Sequence, residues 1–575
     1  MQMNLNISVE LPREAYDYGT RASGGAHGVV LTKPHIVDLL LDLGGYSVDG
    51  DLTCKRLLEP ACGHGAFLVP AIQRLLVAAT REGKAAASLK DAVVAFDIDP
   101  EHVRRTRESV LGVLRAFGAS QHAATLLAQT WVRQGDFLLA SINERFDLIV
   151  GNPPYVRIEQ LTPALHNAYR HRYRALYDRA DLYVAFIERG LSLLAEEGAL
   201  AFICADRWIS NKYGAPLREI VTSRHQVRCY VDLHRASPFE SDVIAYPSVF
   251  VLGKGTSSNV PVVRLKTGSV EECAAVPRAV RGETSGLPAG VSVATYPSWF
   301  RGDEPWVLSS PTHLNALRAM EANLLPLSAT CRVGIGVATG NDRVYITRRD
   351  ADIEPDRLVP LVMRDDIKDG RLEDAGRAVI HVFDEAGRVV DLDRYPRLRS
   401  YLAAHEDEIK KRHVAQKNPR AWFRTIDRVY PELVSVPKLL IPDIAGSNEV
   451  AFDEGRFHPH HNLYFVTSEQ WDMEVLGGLL SSKVALFFIW SYAVKMRGSY
   501  LRFQAQYLRR IRLPDPATLP VKLASRLKVA FKRRDFKRLD ELAMEAYGLE
   551  ELPEFDFVDT RRSAARRRMT IKVLA

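Results

Sequence analysis

Cysteine is scarce in this 575-residue sequence: Cys54, Cys62, Cys204, Cys229, Cys273 and Cys331 are its only six, and no two lie close together. That scatter excludes a disulfide framework and a zinc knuckle, so the thiols are expected to be reduced and mostly buried. Long apolar runs are missing too. Nothing approaches 18 uninterrupted apolar residues, which argues against a membrane span, and Met1 to Arg13 lacks the basic-then-apolar pattern of a signal peptide. A cytoplasmic protein without a membrane partner is expected. Excess charge of one sign is also small. A net charge of +7 over 77 basic and 70 acidic residues barely favours a nucleic-acid partner by itself. The distribution says more: Lys522 to Arg538 is strongly basic, and Arg561 to Lys572 contains no acid. Such runs are as often solvated surface as phosphate contacts.

What is present is α/β order. From about Gly28 to Gly253, short apolar runs alternate with amphipathic helical stretches, the pattern of a parallel sheet covered on both faces. Strands are expected at Arg56 to Leu58, Val93 to Phe96, Phe146 to Val150 and Ala199 to Cys204, with helices at Phe67 to Ala79 and Leu182 to Ala195. Runs at Val227 to Leu233 and Ser248 to Leu252 suggest a strand pair closing one edge. The stretch from Gly255 to Gly302, rich in Ser, Gly and Pro, loses this periodicity and reads as connecting structure. Beyond about Pro311 come isolated strands, polar loops and a long apolar helix at Met473 to Val494, which suggests a second domain.

Two segments carry chemistry. The first predicted strand runs into Glu59-Pro60-Ala61-Cys62-Gly63-His64-Gly65, where glycines allow close approach of a ligand and a sharp turn into a helix. The next strand ends in Asp97, a carboxylate at the sheet edge that a ribose diol could reach. Taken alone, such a turn is more often an ordinary connection than a site. Its glycines are too few for a dinucleotide fingerprint, and no Gly-Lys-Ser/Thr follows to hold a triphosphate. The stronger signal is Phe146-Asp147-Leu148-Ile149-Val150-Gly151 ending in Asn152-Pro153-Pro154-Tyr155. Consecutive prolines stiffen the corner and remove two amide donors, leaving carbonyls as unopposed acceptors. The Asn152 oxygen and the Pro153 carbonyl could each accept one N–H of a conjugated amine. Such pairing returns the lone pair to nitrogen and stabilises the positive charge that develops there. Tyr155 could then stack on a base. A plain strand-capping turn is the bland alternative, disfavoured by its place at the same sheet edge as the glycine loop.

In this arrangement the chain resembles the gamma-class N6-adenine DNA methyltransferases of the TaqI type, strongly over residues 24 to 253 and more loosely beyond. The resemblance rests on Gly28 to Leu40 with Thr32, on the Glu59 to Gly65 loop, on Asp97, on Gly135-Asp136-Phe137-Leu138-Leu139 and on Asn152 to Tyr155. It implies a Rossmann-like S-adenosylmethionine-dependent domain with a mixed seven-stranded sheet over residues 1–265. It further implies a connecting segment at 266–310 and an α+β DNA target-recognition domain with a basic tail at 311–575. S-adenosylmethionine would be held by Thr32, Glu59, Pro60, Ala61, Cys62, Gly63, Gly65, Asp97, Asp136, Phe137 and Pro154. Asn152, Pro153 and Tyr155 would act on an adenine flipped out of duplex DNA, with Phe239 as a second stacking aromatic, and no metal would take part. In the second domain, Gly334 to Asp342, Leu479 to Lys483 and Arg502 to Pro514 resemble recognition segments. Tyr500, Phe503 and Tyr507 fall at helical spacing, with Arg502, Arg509 and Arg510 off that stripe as candidate phosphate contacts. Lys410, Lys411, Arg412, Lys417 and Arg420 form another candidate patch. A monomeric modification enzyme is expected, with a separately encoded restriction endonuclease as a companion. The rivals are a protein glutamine methyltransferase and a catalytically silent DNA-binding defence component.

Overall fold

The computed structural model describes residues 30–241, 246–256, 259–297, 299–445, 449–493 and 501–555. The chain divides into two units, the first ending at Pro311 and the second beginning at Thr312.

The first unit is a mixed sheet flanked by helices. In chain order it contains α1 (Pro34–Leu43), β1 (Leu57–Glu59), α2 (Leu68–Arg81), β2 (Val93–Asp97), α3 (Pro100–Ala116) and α4 (Gln121–Trp131). Next come β3 (Val132–Gln134), β4 (Phe146–Gly151), α5 (Pro163–Arg172), α6 (Tyr183–Leu193), β5 (Leu194–Ala205) and α7 (Ala215–Arg224). The unit closes with β6 (His225–Asp232), β7 (Pro247–Lys254), β8 (Asn259–Leu265), α8 (Val270–Val280) and β9 (Val291–Pro297). Strand order is β3-β2-β1-β4-β5-β7-β6-β8-β9. The run from β3 to β5 is parallel, and β7 enters antiparallel between β5 and β6.

Why the central strands form is plain from their burial: every residue of β1 and β2 is buried, as two-sided helix cover requires. Their apolar side chains pack with Leu39 and Leu40 of α1 and Leu68, Ile72 and Leu75 of α2 in one core. Each large side chain so buried contributes about 1.5 to 3 kcal/mol. The order reverses between β1 and β4, which opens a crevice at the carboxyl ends of the strands.

Four expectations for the first unit need correction. The sheet has nine strands among the described residues, not seven. The extra pair, β8 and β9, comes from the stretch expected to be a connector, and residues 266–310 also supply α8. Strands β6 and β7 do pair, but they sit inside the sheet because β8 covers β6. The helix expected to reach Ala195 stops at Leu193, where β5 begins.

The second unit contains two four-stranded sheets. Arg332–Ile335, Leu463–Thr467, Lys438–Pro442 and Ala451–Asp453 form one, fully antiparallel. The other joins Ile346–Arg348, Arg377–Ile380, Leu358–Val362 and His458–Pro459. The apolar run from Met473 is two helices, Met473–Leu480 and Lys483–Tyr492, bent by 60°. Ser482 causes the break by capping the second helix, its hydroxyl accepting from the Ala485 N–H; Val494 lies outside the described residues. No single described helix is long and apolar enough to cross a membrane.

The expected stripe through Phe503 and Tyr507 is buried, but the helix there spans only Ala505–Leu508, and Tyr500 lies outside the described residues. Its arginines are engaged internally: Arg502 pairs with Asp443, Arg509 donates to the Val333 carbonyl, and Arg510 lies over the Tyr492 ring. Arg412 is likewise bound to the carbonyls of Thr339, Trp422 and Arg424. In the basic run from Lys522, Lys528 and Lys532 pair with Glu474. The Arg561 to Lys572 run lies outside the described residues.

Candidate active site

An open cavity of about 990 Å³ lies over the ends of β1, β2 and β4. Thr32, Glu59, Pro60, Ala61, Cys62, Gly63, Asp97, Asp136, Phe137 and Asn152 to Tyr155 all line it. Gly65 and Phe239, expected in the same set, do not.

The loop after β1 turns through two glycines in left-handed conformation, Gly63 at φ 50° and Gly65 at φ 84°. Gly65 is structural: its N–H donates to the Cys62 carbonyl, and its own carbonyl accepts from Val69 in the first turns of α2. Gly63 instead ties the loop to the second strand, its N–H donating to Asp97 Oδ2 at 2.8 Å. Asp97 Oδ1 meanwhile accepts from the Asp99 N–H at 2.9 Å and lies 3.2 Å from His102 Nδ1. A carboxylate offers about four acceptor sites, so one on Oδ2 stays available to the cavity.

Glu59 is 1% exposed, and its Oε2 has no hydrogen-bond partner among the described residues. Burial pushes its carboxyl well above the usual range, with the Asp97 charge adding to the effect and the Leu68 N–H opposing it. A buried acceptor of this kind is costly unless a donor or a cation meets it. The Cys62 thiol beside it is pushed up by burial and by the charges of Glu59 and Asp97, so it stays protonated. At the other end, Asp136 accepts from the Leu138 N–H at 2.8 Å and the Tyr169 hydroxyl at 2.8 Å, and burial raises its carboxyl. Phe137 lies 5.3 Å from the Phe186 ring, with the Arg189 guanidinium 4.9 Å from its centroid.

Asn152 is held in one orientation. Its Nδ2 donates to the Val30 carbonyl at 3.1 Å and to Thr32 Oγ1 at 3.3 Å. Because a carbonyl only accepts, the amide nitrogen must face Val30, and Oδ1 must face away. That oxygen is buried and has no partner among the described residues. Nor does any described backbone amide outside helices and strands donate to the Pro153 carbonyl. Two acceptors on consecutive residues of a proline-stiffened corner suit a substrate carrying two N–H donors.

Thr32 therefore does more than border the cavity: it helps to aim Asn152. The segment around it is fixed by Lys33 N–H donating to the Pro238 carbonyl and Glu240 N–H to the Leu31 carbonyl, each within 3.0 Å. This pairing brings Phe239 to Tyr155, ring centroids 6.3 Å apart and edge to face. Phe239 is 6% exposed and belongs to the core, so it buttresses Tyr155 rather than facing the cavity. Tyr183 supports the ring from another side at 6.4 Å. The Tyr155 hydroxyl is buried without a partner among the described residues.

Tyr169 and Phe186 were not anticipated. Tyr169 reaches the cavity from the excursion after Tyr155, which leaves and returns through Ile158 N–H to the Ala180 carbonyl and Leu182 N–H to the Val156 carbonyl, and Phe186 reaches it from α6 just beyond. Asp99 and His102 also line it; the Asp-Pro pair starting α3 is a visible helix cap, but nothing in it marks a cavity.

Residues 91–239 match the Eco57I restriction-modification methylase family, and residues 391–513 match the TaqI-like C-terminal specificity domain. The type II methyltransferase M.PaeR7I of Pseudomonas aeruginosa is 44% identical over 540 residues, covering 91% of this chain and 92% of that protein. The chain belongs to the type II restriction-modification methyltransferases. M.XhoI of Xanthomonas vasicola, another type II methyltransferase, is 41% identical over 93% of this chain and 99% of its own length. The fold is shared with the type IIL restriction-modification enzyme MmeI, solved in complex with DNA, at TM-score 0.56 and 12% identity over 90% of this chain and 73% of that one.

For this methyltransferase the Thr32 contact gives a direct prediction. Thr32→Val removes one of two acceptors holding the Asn152 amide, a hydrogen bond of about 1 kcal/mol. Turnover is expected to fall roughly three- to tenfold with KM for DNA little changed; steady-state kinetics checks this, and an unchanged kcat would show that Val30 alone suffices.

Proposed function

We propose that this enzyme transfers a methyl group from S-adenosylmethionine to the exocyclic N6 amine of an adenine flipped out of duplex DNA, as the modification partner of a restriction endonuclease. The observation that carries this reading is the fixed Asn152 amide: its Oδ1 has no partner among the described residues, and Asn152 lines the same cavity as Glu59, whose buried carboxyl is only partly satisfied. The lining fits the cofactor chemically. Glu59 would face the positively charged methionine portion, Asp97 a ribose hydroxyl, and Asp136 with Phe137 an aminopurine.

When bound, S-adenosylmethionine supplies an electrophilic methyl on a sulfonium. Everything else falls to the chain. Asn152 Oδ1 and the Pro153 carbonyl each accept one N–H of the target amine, which draws its lone pair out of conjugation. The same oxygens stabilise the positive charge that builds on that nitrogen as it attacks in line. Its proton is lost afterwards, when the amine has become acidic, so no strong base is needed. Tyr155, braced by Phe239 and Tyr183, supplies the stacking surface that offsets extrusion of the base.

Loss of that surface has a measurable outcome. Tyr155→Ala should remove about 1 to 3 kcal/mol of stacking. A duplex with 2-aminopurine at the target should then show a much smaller rise in fluorescence on binding, and turnover should fall with it. Fluorescence equal to wild type would contradict the stacking role.

A further inference from the structure

The second unit holds a groove of about 1000 Å³ that the transfer chemistry does not use. One wall is the strand Arg332–Ile335, which lies at the edge of its sheet. The other is the segment carrying Tyr430, Glu432 and Val436. Large apolar side chains are left in water along it: Ile335 is 50% exposed, Tyr430 47% and Val436 38%. Exposed apolar groups gathered around one groove mark a contact surface.

Its polar groups are few and of both signs. Arg332 is exposed, forms no ion pair among the described residues, and has its guanidinium 5.9 Å from the centroid of the Phe465 ring. Gly334 leaves room for that ring, since a Cβ there would lie 2.3 Å from it. Glu432, on the opposite wall, is exposed and likewise unpaired among the described residues. The neighbouring Arg428 and Asp427 are committed elsewhere, to the Glu385 carbonyl and to the Ala338 N–H.

Resting on the function proposed above, we infer that this groove reads base edges of duplex DNA, with Arg332 and Glu432 as specificity-determining residues. The inventory suits base edges rather than phosphates. A phosphate-tracking surface gathers several cations and excludes acids. Base edges in the major groove present paired acceptors to a guanidinium fork, an amino donor to a carboxylate, and the thymine methyl to apolar side chains. The Phe465 ring lies 5.9 Å from the Arg332 guanidinium, close enough for a weak cation–π attraction that leaves the fork free to meet a base. Tyr430, Glu432, Val436 and Phe465 also fall inside residues 391–513, the stretch matched to the specificity domain.

The test uses the full-length enzyme and duplexes in which each base pair around the methylated position is varied in turn. Arg332→Ala should still methylate the same base, but discrimination at one base pair should drop about ten- to a hundredfold. Arg332→Lys, which keeps the charge and the packing stem, should relax the same position. Glu432→Gln should relax a different one. An unchanged site profile in all three variants would overturn the inference, as would a uniform loss of affinity for every duplex, the signature of a phosphate contact. A wild-type enzyme that methylates no duplex would bring down the proposed function itself, and this inference with it.

Discussion

Replacing Asn152 by Ala should lower kcat about a hundred- to a thousandfold, the range seen when one preorganised group facing transition-state charge is removed. The amide contributes an acceptor that nothing nearby can substitute. Oδ1 is buried and unpartnered among the described residues, and Nδ2 is already spent on Val30 and Thr32. Since the interaction strengthens as charge develops on the amine, the loss should fall on kcat rather than on binding. DNA affinity, followed by fluorescence anisotropy, should stay within a few-fold of wild type. Equal losses of turnover and affinity would mean that Asn152 holds DNA rather than acting on the reacting nitrogen.

The largest expected effect on stability lies in the second unit. Lys438 and Asp453 are both fully buried, with Nζ 2.8 Å from Oδ2. The ammonium also donates to the carbonyls of Val436 and Val434, and the carboxylate accepts the amides of Gly455, Arg456 and Phe457. Burial lowers the Lys438 pKa, while the Asp453 carboxylate pulls it back up. Asp453→Ala would strand a buried cation and three amides at once. Breaking a buried pair in this way costs about 3 to 5 kcal/mol. Urea unfolding of the full chain should show it as an earlier transition of the unit that starts at Thr312. Lys438→Met should cost less, because the three amides still hold the carboxylate; a loss below 1 kcal/mol for Asp453→Ala would contradict this account.

Much of the first unit could be read directly. β1, β2 and β4 are short runs, apolar apart from Asp147 near the start of β4, that end in chemically distinctive residues, so pattern and site announce each other. β8 and β9 were hidden because they are bounded by Ser, Gly and Pro and β9 is half exposed, which weakens the alternation that marks a strand. The bend at Ser481 and Ser482 was visible as a serine cap but masked by apolar residues on both sides. The cavity lining was legible where it followed a strand. The aiming of Asn152 was not, because it depends on Val30 and Thr32, about 120 residues away in the chain, and only the folded sheet brings them together. Tyr169 was missed for the same reason: its contact with Asp136 is made by an excursion whose helix carries no signal of its own. Phe239 had two readings, and burial in the core favours the commoner one.

One measurement bears most directly on the acceptor corner. Incubate the wild-type enzyme with duplex DNA of mixed sequence and S-adenosylmethionine carrying a tritiated methyl group, digest the DNA to nucleosides, and separate them. The label should elute as N6-methyl-2′-deoxyadenosine, and Asn152→Ala should lower its rate of appearance about a hundred- to a thousandfold. Label appearing in a methylated cytosine, or on protein glutamine with none in DNA, would contradict it.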